Sequence, residues 1–92
     1  MKEIKEKYSK QLVVIKEFLE EKYNENRRPN SFVVSPVMWQ LVQLMDDVEI
    51  FTNTEQARVG KYKKAFILLD EYKPDLMIGV VQNFSLANVK LD

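Results

Sequence analysis

The strongest constraint on the fold is a junction at residues 31–36, where an apolar segment runs directly into a helix start. Residues 31–34, of sequence SFVV, are short, β-branched and apolar, which is typical of a buried strand. Ser35 is a good N-cap, and Pro36 suits the first helical position because its missing N–H would have no partner there. Apolar residues then recur at helical spacing, so we predict a helix from Pro36 to about Met45.

An amphipathic segment at residues 2–23 predicts a longer helix before this junction. Its apolar positions are separated by 4, 4, 3, 4 and 4 residues, which places them on one stripe of an α-helix. The stripe consists of Ile4, Tyr8, Leu12, Ile15, Leu19 and Tyr23, widened in its second half by Val14 and Phe18. Charged residues fill the opposite side, so the stripe is expected to face the core.

The remainder of the chain predicts short strands joined by polar loops. Four segments have strand-like apolar or alternating patterns, at residues 48–52, 66–69, 76–81 and 87–91. Residues 53–56 are expected to form a loop, and the chain is expected to turn around Gly60. Because residues 76–81 are apolar on both faces, that strand is predicted to be covered on both sides. The alternation in residues 87–91 predicts an edge strand with one wet face.

These elements predict one α+β domain over residues 1–92. A long N-terminal amphipathic helix and a second short helix would pack on a small mixed or antiparallel sheet. The length allows one hydrophobic core, and 46% hydrophobic residues are enough to fill it.

Composition argues against catalysis. The chain has no cysteine and no histidine, which removes thiol nucleophiles, the commonest general base and the commonest transition-metal ligands. Asp46-Asp47 and Asp70-Glu71 are adjacent carboxylates that point apart, unlike the facing pair that a glycosidase needs. The only glycines, Gly60 and Gly79, form no phosphate-binding loop. We therefore expect no enzymatic activity, no cofactor, no metal site and no small-molecule substrate.

The distribution of charge and hydropathy bears on location. Fourteen basic residues balance fourteen acidic ones, so no global field attracts nucleic acid or an anionic membrane. No run reaches the roughly 18 apolar residues of a membrane span, and the charged N-terminus lacks the apolar stretch of a signal peptide. These patterns predict an intracellular protein that does not associate with membranes.

Charge is segregated along the chain, although it is balanced in total. Residues 29–57 contain four acids and no base, whereas residues 58–64 contain four bases and no acid. A basic hairpin at 58–64 is consistent with a solvated, edge-protecting surface, with a contact to an acidic protein such as another copy, or with nucleic-acid binding. Six residues are candidate partner contacts, namely Trp39 on the second helix and Arg58, Lys61, Tyr62, Lys63 and Lys64 in the hairpin.

Two segments resemble a known family residue by residue. Residues 32–47, FVVSPVMWQLVQLMDD, resemble a segment of tailed-bacteriophage major capsid proteins, whose fold is shared with encapsulins. There an apolar strand runs into Ser-Pro or Asn-Pro and then into a short helix that bears a tryptophan and ends near an acid. Residues 59–72, VGKYKKAFILLDEY, are similar to the family's glycine-containing turn and the strand after it. The helix predicted at residues 2–23 and the strand predicted within residues 75–81 are also similar to elements of the family in type and in order along the chain.

The resemblance implies a non-enzymatic, capsid-like structural or assembly domain of viral or prophage origin, located in the host cytoplasm or in a virion. Capsid subunits of this family are longer, with an extended loop and an N-terminal arm that have no counterpart here. The chain would then be a stand-alone piece of the fold, a reduced relative or a mimic that binds capsid subunits. Its partner would be itself or another capsid-type subunit. The alternatives are a small intracellular adaptor or inhibitor with one protein partner, and a nucleic-acid-binding domain that uses the 58–64 hairpin.

Overall fold

The described part of the chain forms a six-stranded sheet with two helices. The computed structural model describes residues 7–24, 29–55, 57–82 and 85–91. In chain order the elements are α1 (Ser9–Tyr23), β1 (Ser31–Val34), α2 (Pro36–Val42), β2 (Val48–Glu55), β3 (Arg58–Tyr62), β4 (Ala65–Leu69), β5 (Met77–Gln82) and β6 (Ser85–Lys90). The strand order across the sheet is β2-β3-β4-β1-β5-β6. The predicted α+β class, with both helices packed on a mixed sheet, is confirmed.

Strand β1 lies in the interior of the sheet and organises its neighbours. It runs parallel to β4, with Phe32 opposite Ile67, and antiparallel to β5, with Phe32 opposite Val80. The other pairings, β2 with β3, β3 with β4 and β5 with β6, are antiparallel. The single parallel pairing exists because the chain passes through α2 and the β2–β3 hairpin between β1 and β4.

The predicted junction between β1 and α2 is confirmed. Ser35 is fully buried, and its hydroxyl accepts a hydrogen bond from the Met38 N–H at 3.0 Å while donating one to the Asp75 carbonyl. This N-cap therefore also ties the start of α2 to the segment that precedes β5. The helix ends at Val42 rather than near Met45, because the Met45 N–H bonds to the Val42 carbonyl only three residues earlier.

The apolar stripe of α1 is confirmed where the structure describes it. Ile15, Leu19 and Tyr23 are buried at a spacing of four residues, and burial of side chains of this size is worth about 1.5–3 kcal/mol each. Val14 is 46% exposed and does not belong to the buried cluster, so the predicted widening at that position is wrong. Residues 2–6 of the predicted helix lie outside the described residues.

The hairpin that follows α2 differs from the prediction in two respects. Strand β2 continues through residues 53–55, where we had predicted a loop, and Gln56 lies outside the described residues. Gly60 lies within β3, and the reversal into β4 occurs at Lys63, whose φ is +54°. Gly60 is needed inside the strand because Trp39 packs directly over it. Its role is therefore to let the Trp39 ring approach the backbone of β3, and not to reverse the chain.

The helices cover one side of the sheet, which we call the covered face. Residues from α1, α2 and the strands form one buried cluster there, consisting of Ile15, Leu19, Tyr23, Phe32, Val34, Met38, Leu41, Val42, Val59, Tyr62, Ala65, Ile67, Leu76, Ile78 and Val80. The opposite side, the open face, has no helix over it among the described residues. In β5, Ile78 and Val80 are buried, whereas Met77 and Val81 are only half-buried. The prediction that residues 76–81 are covered on both sides is therefore wrong.

Strand β6 occupies one edge of the sheet, as the sequence predicted. It pairs with β5 from Gln82 opposite Ser85 to Met77 opposite Lys90, and its residues are mostly exposed. The apolar residues of β5 need no second helical layer because Gly79, on the open face, leaves room for the side chains of Leu86 and Asn88 to lie across it. An edge strand here replaces the layer that we had expected.

Candidate functional site

The open face carries a row of apolar side chains that its own chain leaves partly uncovered. Val33 on β1 is half-buried and lies beside Leu68 on β4, while Val81 on β5 lies opposite Leu86 on β6. Leu86 is 54% exposed. We call Val33, Leu68, Val81 and Leu86 the apolar strip. A contiguous patch of this kind on a sheet face is typical of an interaction surface.

Next to the apolar strip lies a group of aromatic and cationic side chains from β2, β3 and β4. The guanidinium of Arg58 is 4.5 Å from the centre of the Phe66 ring, and the ammonium of Lys61 is 5.4 Å from the same centre. The Phe51 ring meets Phe66 edge to face, with ring centres 6.3 Å apart. We call Phe51, Arg58, Lys61 and Phe66 the aromatic–cation cluster.

Backbone pairing explains why these four residues meet. Lys61 is opposite Phe66 across the β3–β4 pair, so the two side chains share the open face. Arg58 is opposite Leu68, and its long side chain reaches diagonally to Phe66. A register irregularity between Arg58 and Gly60 lets Arg58 and Lys61, three residues apart, lie on the same face.

Two hollows flank the aromatic–cation cluster, and Arg58 and Phe66 line both of them. The smaller is completed by Phe51 and Asn53. The larger lies where β1 and β4 begin, and its other lining residues are Tyr23, Pro29, Asn30, Ser31 and Lys64. None of the described residues that line either hollow is acidic. Positive charge, aromatic rings and amide groups therefore lie together around Arg58 and Phe66.

The acid-rich and base-rich segments of the sequence are adjacent strands of the same molecule. Glu49 lies opposite Lys61, and Glu55 lies opposite Arg58, across the β2–β3 pair. Among the described residues, however, no ion pair within 4 Å involves Glu49, Arg58 or Lys61. The two cations lie over the Phe66 ring instead.

The six predicted contact residues fall into three separate locations. Arg58 and Lys61 lie on the open face in the aromatic–cation cluster, and Lys64 lines the larger hollow. Lys63 is at the β3–β4 turn, with its ammonium 5.1 Å from the centre of the Tyr23 ring. The remaining two, Trp39 and Tyr62, lie on the covered face, and the Lys63 ammonium is 5.4 Å from the centre of the Tyr62 ring.

Trp39 and Tyr62 both contribute to the covered face. Trp39 is half-buried and packs against the core cluster over Gly60, as expected for an aromatic that caps the edge of its own core. Tyr62 has no exposed surface and packs edge to face on Tyr23 and Phe32. Because neither residue belongs to the open face, neither is positioned to contact a partner that binds there.

Phe51 and Phe66 are site residues that our reading of the sequence missed. Phe66 was assigned to a buried strand because residues 66–69 are all apolar, and Phe51 was assigned to a short alternating strand. Phe66 alternates with the buried residues Ala65 and Ile67, which places it on the open face, and Phe51 meets it there edge to face. The signal that could have identified them was the basic residue across the strand pair, but this requires the register of β3 against β4.

The ionisable groups of the described residues offer no metal site. No group of three or more potential ligands among them could hold a metal ion. Asp46 and Asp47 are exposed in the turn after α2. Burial raises the pKa of the Tyr62 hydroxyl, and the negative charges of Glu20 and Asp47 raise it further. That hydroxyl has no hydrogen-bond partner among the described residues.

Comparison with known proteins gives no relative. No protein-family model, no curated protein and no solved structure matches the chain. Neither described helix combines the length and the apolar character required to cross a membrane.

Proposed function

We propose that the chain is a capsid-like structural domain of viral or prophage origin that acts through subunit–subunit contacts and not through catalysis. Its partner is a second copy or another capsid-type subunit, and its place of action is the host cytoplasm or a virion. The observation that carries the proposal is the apolar strip on the open face.

The arrangement of the strands supports the proposal. The two segments that resemble capsid proteins, residues 32–47 and 59–72, contribute β1 and β4, which pair in parallel with Phe32 opposite Ile67. Residues 75–81, which match the family in order, contribute β5 on the other side of β1. The likeness therefore covers one contiguous part of the sheet, with β1 at its centre.

The apolar strip indicates how such a domain would make contacts. The strip crosses four adjacent strands, from Leu68 on β4 to Leu86 on β6, and the described residues leave it partly exposed. Covering apolar surface yields about 25 cal/mol per Å², which favours association through this face. Charged rims around such a strip would set the orientation of the partner.

Charge complementarity favours another subunit as the occupant. Asp46 and Asp47 are exposed beside α1, in a hollow on the side of the covered face that Lys16 also lines. Arg58 and Lys61 are on the opposite side, on the open face. Opposite charges on opposite sides of one molecule allow head-to-tail contacts between copies, which can form the extended or closed assemblies that a shell needs.

Light scattering combined with negative-stain microscopy over a range of protein concentrations tests the proposal. We expect particles larger than a monomer, and we expect Leu86→Lys to reduce them because it places a charge in the apolar strip. Val37→Lys is the matched control, since Val37 is 43% exposed on α2 and lies outside both the strip and the hollow that Asp46 and Asp47 line. A monomer at the highest attainable concentration with no affinity for a capsid-type subunit would refute the proposal. Capture of one unrelated protein partner by that monomer would favour the adaptor alternative.

A further inference from the structure

The aromatic–cation cluster is distinct from the apolar strip and has chemistry that a purely apolar contact does not require. We infer that this cluster and its two flanking hollows bind single-stranded nucleic acid, with phosphates held by Arg58 and Lys61 and bases stacked at Phe51 and Phe66. This binding would be additional to subunit assembly and does not depend on it.

Arg58 and Lys61 supply the positive charge of the cluster. Arg58 and Lys61 have no ion-pair partner within 4 Å among the described residues, and both lie within 6 Å of the centre of one ring. A guanidinium held against an aromatic ring is pre-organised, and its planar set of N–H donors matches the geometry of a phosphate. Lys64, which lines the larger hollow, extends the positive charge toward the beginning of β1.

Phe51 and Phe66 supply the surfaces on which bases would stack. Phe51 and Phe66 are half-buried on the open face, and β3 separates the two strands that carry them. The two ring centres are 6.3 Å apart and the rings meet edge to face, so they form one continuous aromatic surface. Aromatic rings and guanidinium planes on an exposed surface are the usual stacking platforms for single-stranded bases.

Asn53 and Asn30 supply polar groups that can contact base edges. Asn53 is exposed beside Phe51 in the smaller hollow, and Asn30 is exposed in the larger one. The backbone of Asn30 is held in place, because its N–H donates to the Val81 carbonyl at 2.9 Å and its carbonyl accepts from the Phe66 N–H at 3.2 Å. Amide side chains can both donate to and accept from bases.

The groups in and beside the aromatic–cation cluster favour single-stranded nucleic acid over a duplex and over an acidic protein segment. A duplex keeps its bases stacked inside, so two rings on a flat sheet would have no base faces to contact. An acidic protein segment would satisfy the cations, but it would leave the pair of rings and the amides unused. Nucleic acid with accessible bases uses all three kinds of group.

Fluorescence anisotropy with labelled oligo-dT and oligo-rU of about 20 nucleotides tests the inference. We expect saturable binding at low salt, with log Kd rising with log salt by about 1.4 if two phosphates are contacted. Arg58→Ala is expected to reduce that slope and to weaken binding. Phe66→Leu keeps an apolar side chain but removes the ring, and it is expected to weaken binding by about tenfold or more.

Matched controls separate this inference from others. Lys10→Ala removes an exposed lysine of α1, far from the cluster in the sequence and on another element, and should leave the affinity unchanged. Leu86→Lys should retain binding even if it prevents assembly, so failure of the two proposals can be told apart. Circular dichroism of each variant verifies folding.

Three results would overturn the inference. The first is no binding at low salt. The second is unchanged affinity for folded Phe66→Leu, which would mean that base stacking plays no part. The third is equal competition by a poly-glutamate peptide, which would identify the cluster as a contact for acidic protein segments.

Discussion

The two faces of the sheet are built from the same strands but have different physical roles. On β1, Phe32 is completely buried against the helices, whereas the next residue, Val33, is only half-buried on the open face. The same alternation places Ile67 in the core and Phe66 in the aromatic–cation cluster. One face therefore supplies most of the stability, and the other leaves apolar and cationic groups accessible for recognition.

The two glycines give the same contrast at the level of single atoms. A Cβ at Gly60 would lie 2.6 Å from the backbone carbonyl oxygen of Glu49 and 2.8 Å from Cη2 of Trp39. A Cβ at Gly79 would crowd the ends of two side chains, Leu86 Cδ1 at 2.7 Å and Asn88 Oδ1 at 2.9 Å, and would make an ordinary contact with Val33 Cβ at 3.5 Å. The covered face is thus constrained by backbone and a large ring, whereas the open face can adjust.

The largest expected effect comes from truncating neighbouring residues on the two sides of β1. Phe32→Ala should cost about 3–5 kcal/mol of unfolding free energy because it leaves a cavity among fully buried side chains. Val33→Ala should cost about 1 kcal/mol, since part of that side chain already faces solvent. Urea unfolding followed by circular dichroism measures both values. Equal losses in the two variants would mean that the open face is buried in solution.

An intermediate effect is expected from adding one methyl group at each glycine. Gly60→Ala should destabilise by about 1–3 kcal/mol because Trp39 and the β2 backbone must move. Gly79→Ala should change stability by less than about 0.5 kcal/mol, since displaced side-chain ends are offset by the lower entropy of the unfolded chain. Paired urea unfolding curves provide the comparison. A larger loss for Gly79→Ala would contradict the assignment of a deformable open face.

The sequence alone was sufficient to predict the elements that depend on local signals. Ser35 and Pro36 specify a helix start wherever they follow an apolar strand, and the four-residue spacing of Ile15, Leu19 and Tyr23 specifies the buried side of α1. These features involve residues close together in the chain. Their physical causes are therefore visible before any tertiary contact is known.

The candidate site depends on pairing between distant strands, which local patterns do not reveal. Residues 53–55 are polar and favour a loop locally, but they lie in β2 because that strand pairs with β3. Phe66 meets Arg58 only because the reversal occurs at Lys63 and not at Gly60. Moving that turn would change the register of β3 against β4 and place different side chains together on the open face.

The smallest expected effect at neutral pH concerns Tyr62, a polar group on the covered face. Its hydroxyl is buried with no hydrogen-bond partner among the described residues, so Tyr62→Phe should leave stability unchanged or slightly higher. A different result is expected in alkali. Burial raises the pKa of Tyr62 above the value of about 10 that it has in an unfolded chain.

The sign of the pH effect follows from proton binding. Above about pH 10 the unfolded chain loses the Tyr62 proton while the folded chain retains it, so rising pH favours unfolding. The contribution of Tyr62 to stability is complete below that pH and is lost as the pH rises through the folded-state pKa. Urea midpoints measured between pH 8 and about pH 11 should therefore fall less steeply in Tyr62→Phe than in the natural chain. Tyr72→Phe, at a position that is 94% exposed, should retain the natural pH dependence. Identical curves for Tyr62→Phe and the natural chain would show that water reaches the Tyr62 hydroxyl, and the covered face would then be less tightly closed than its packing indicates.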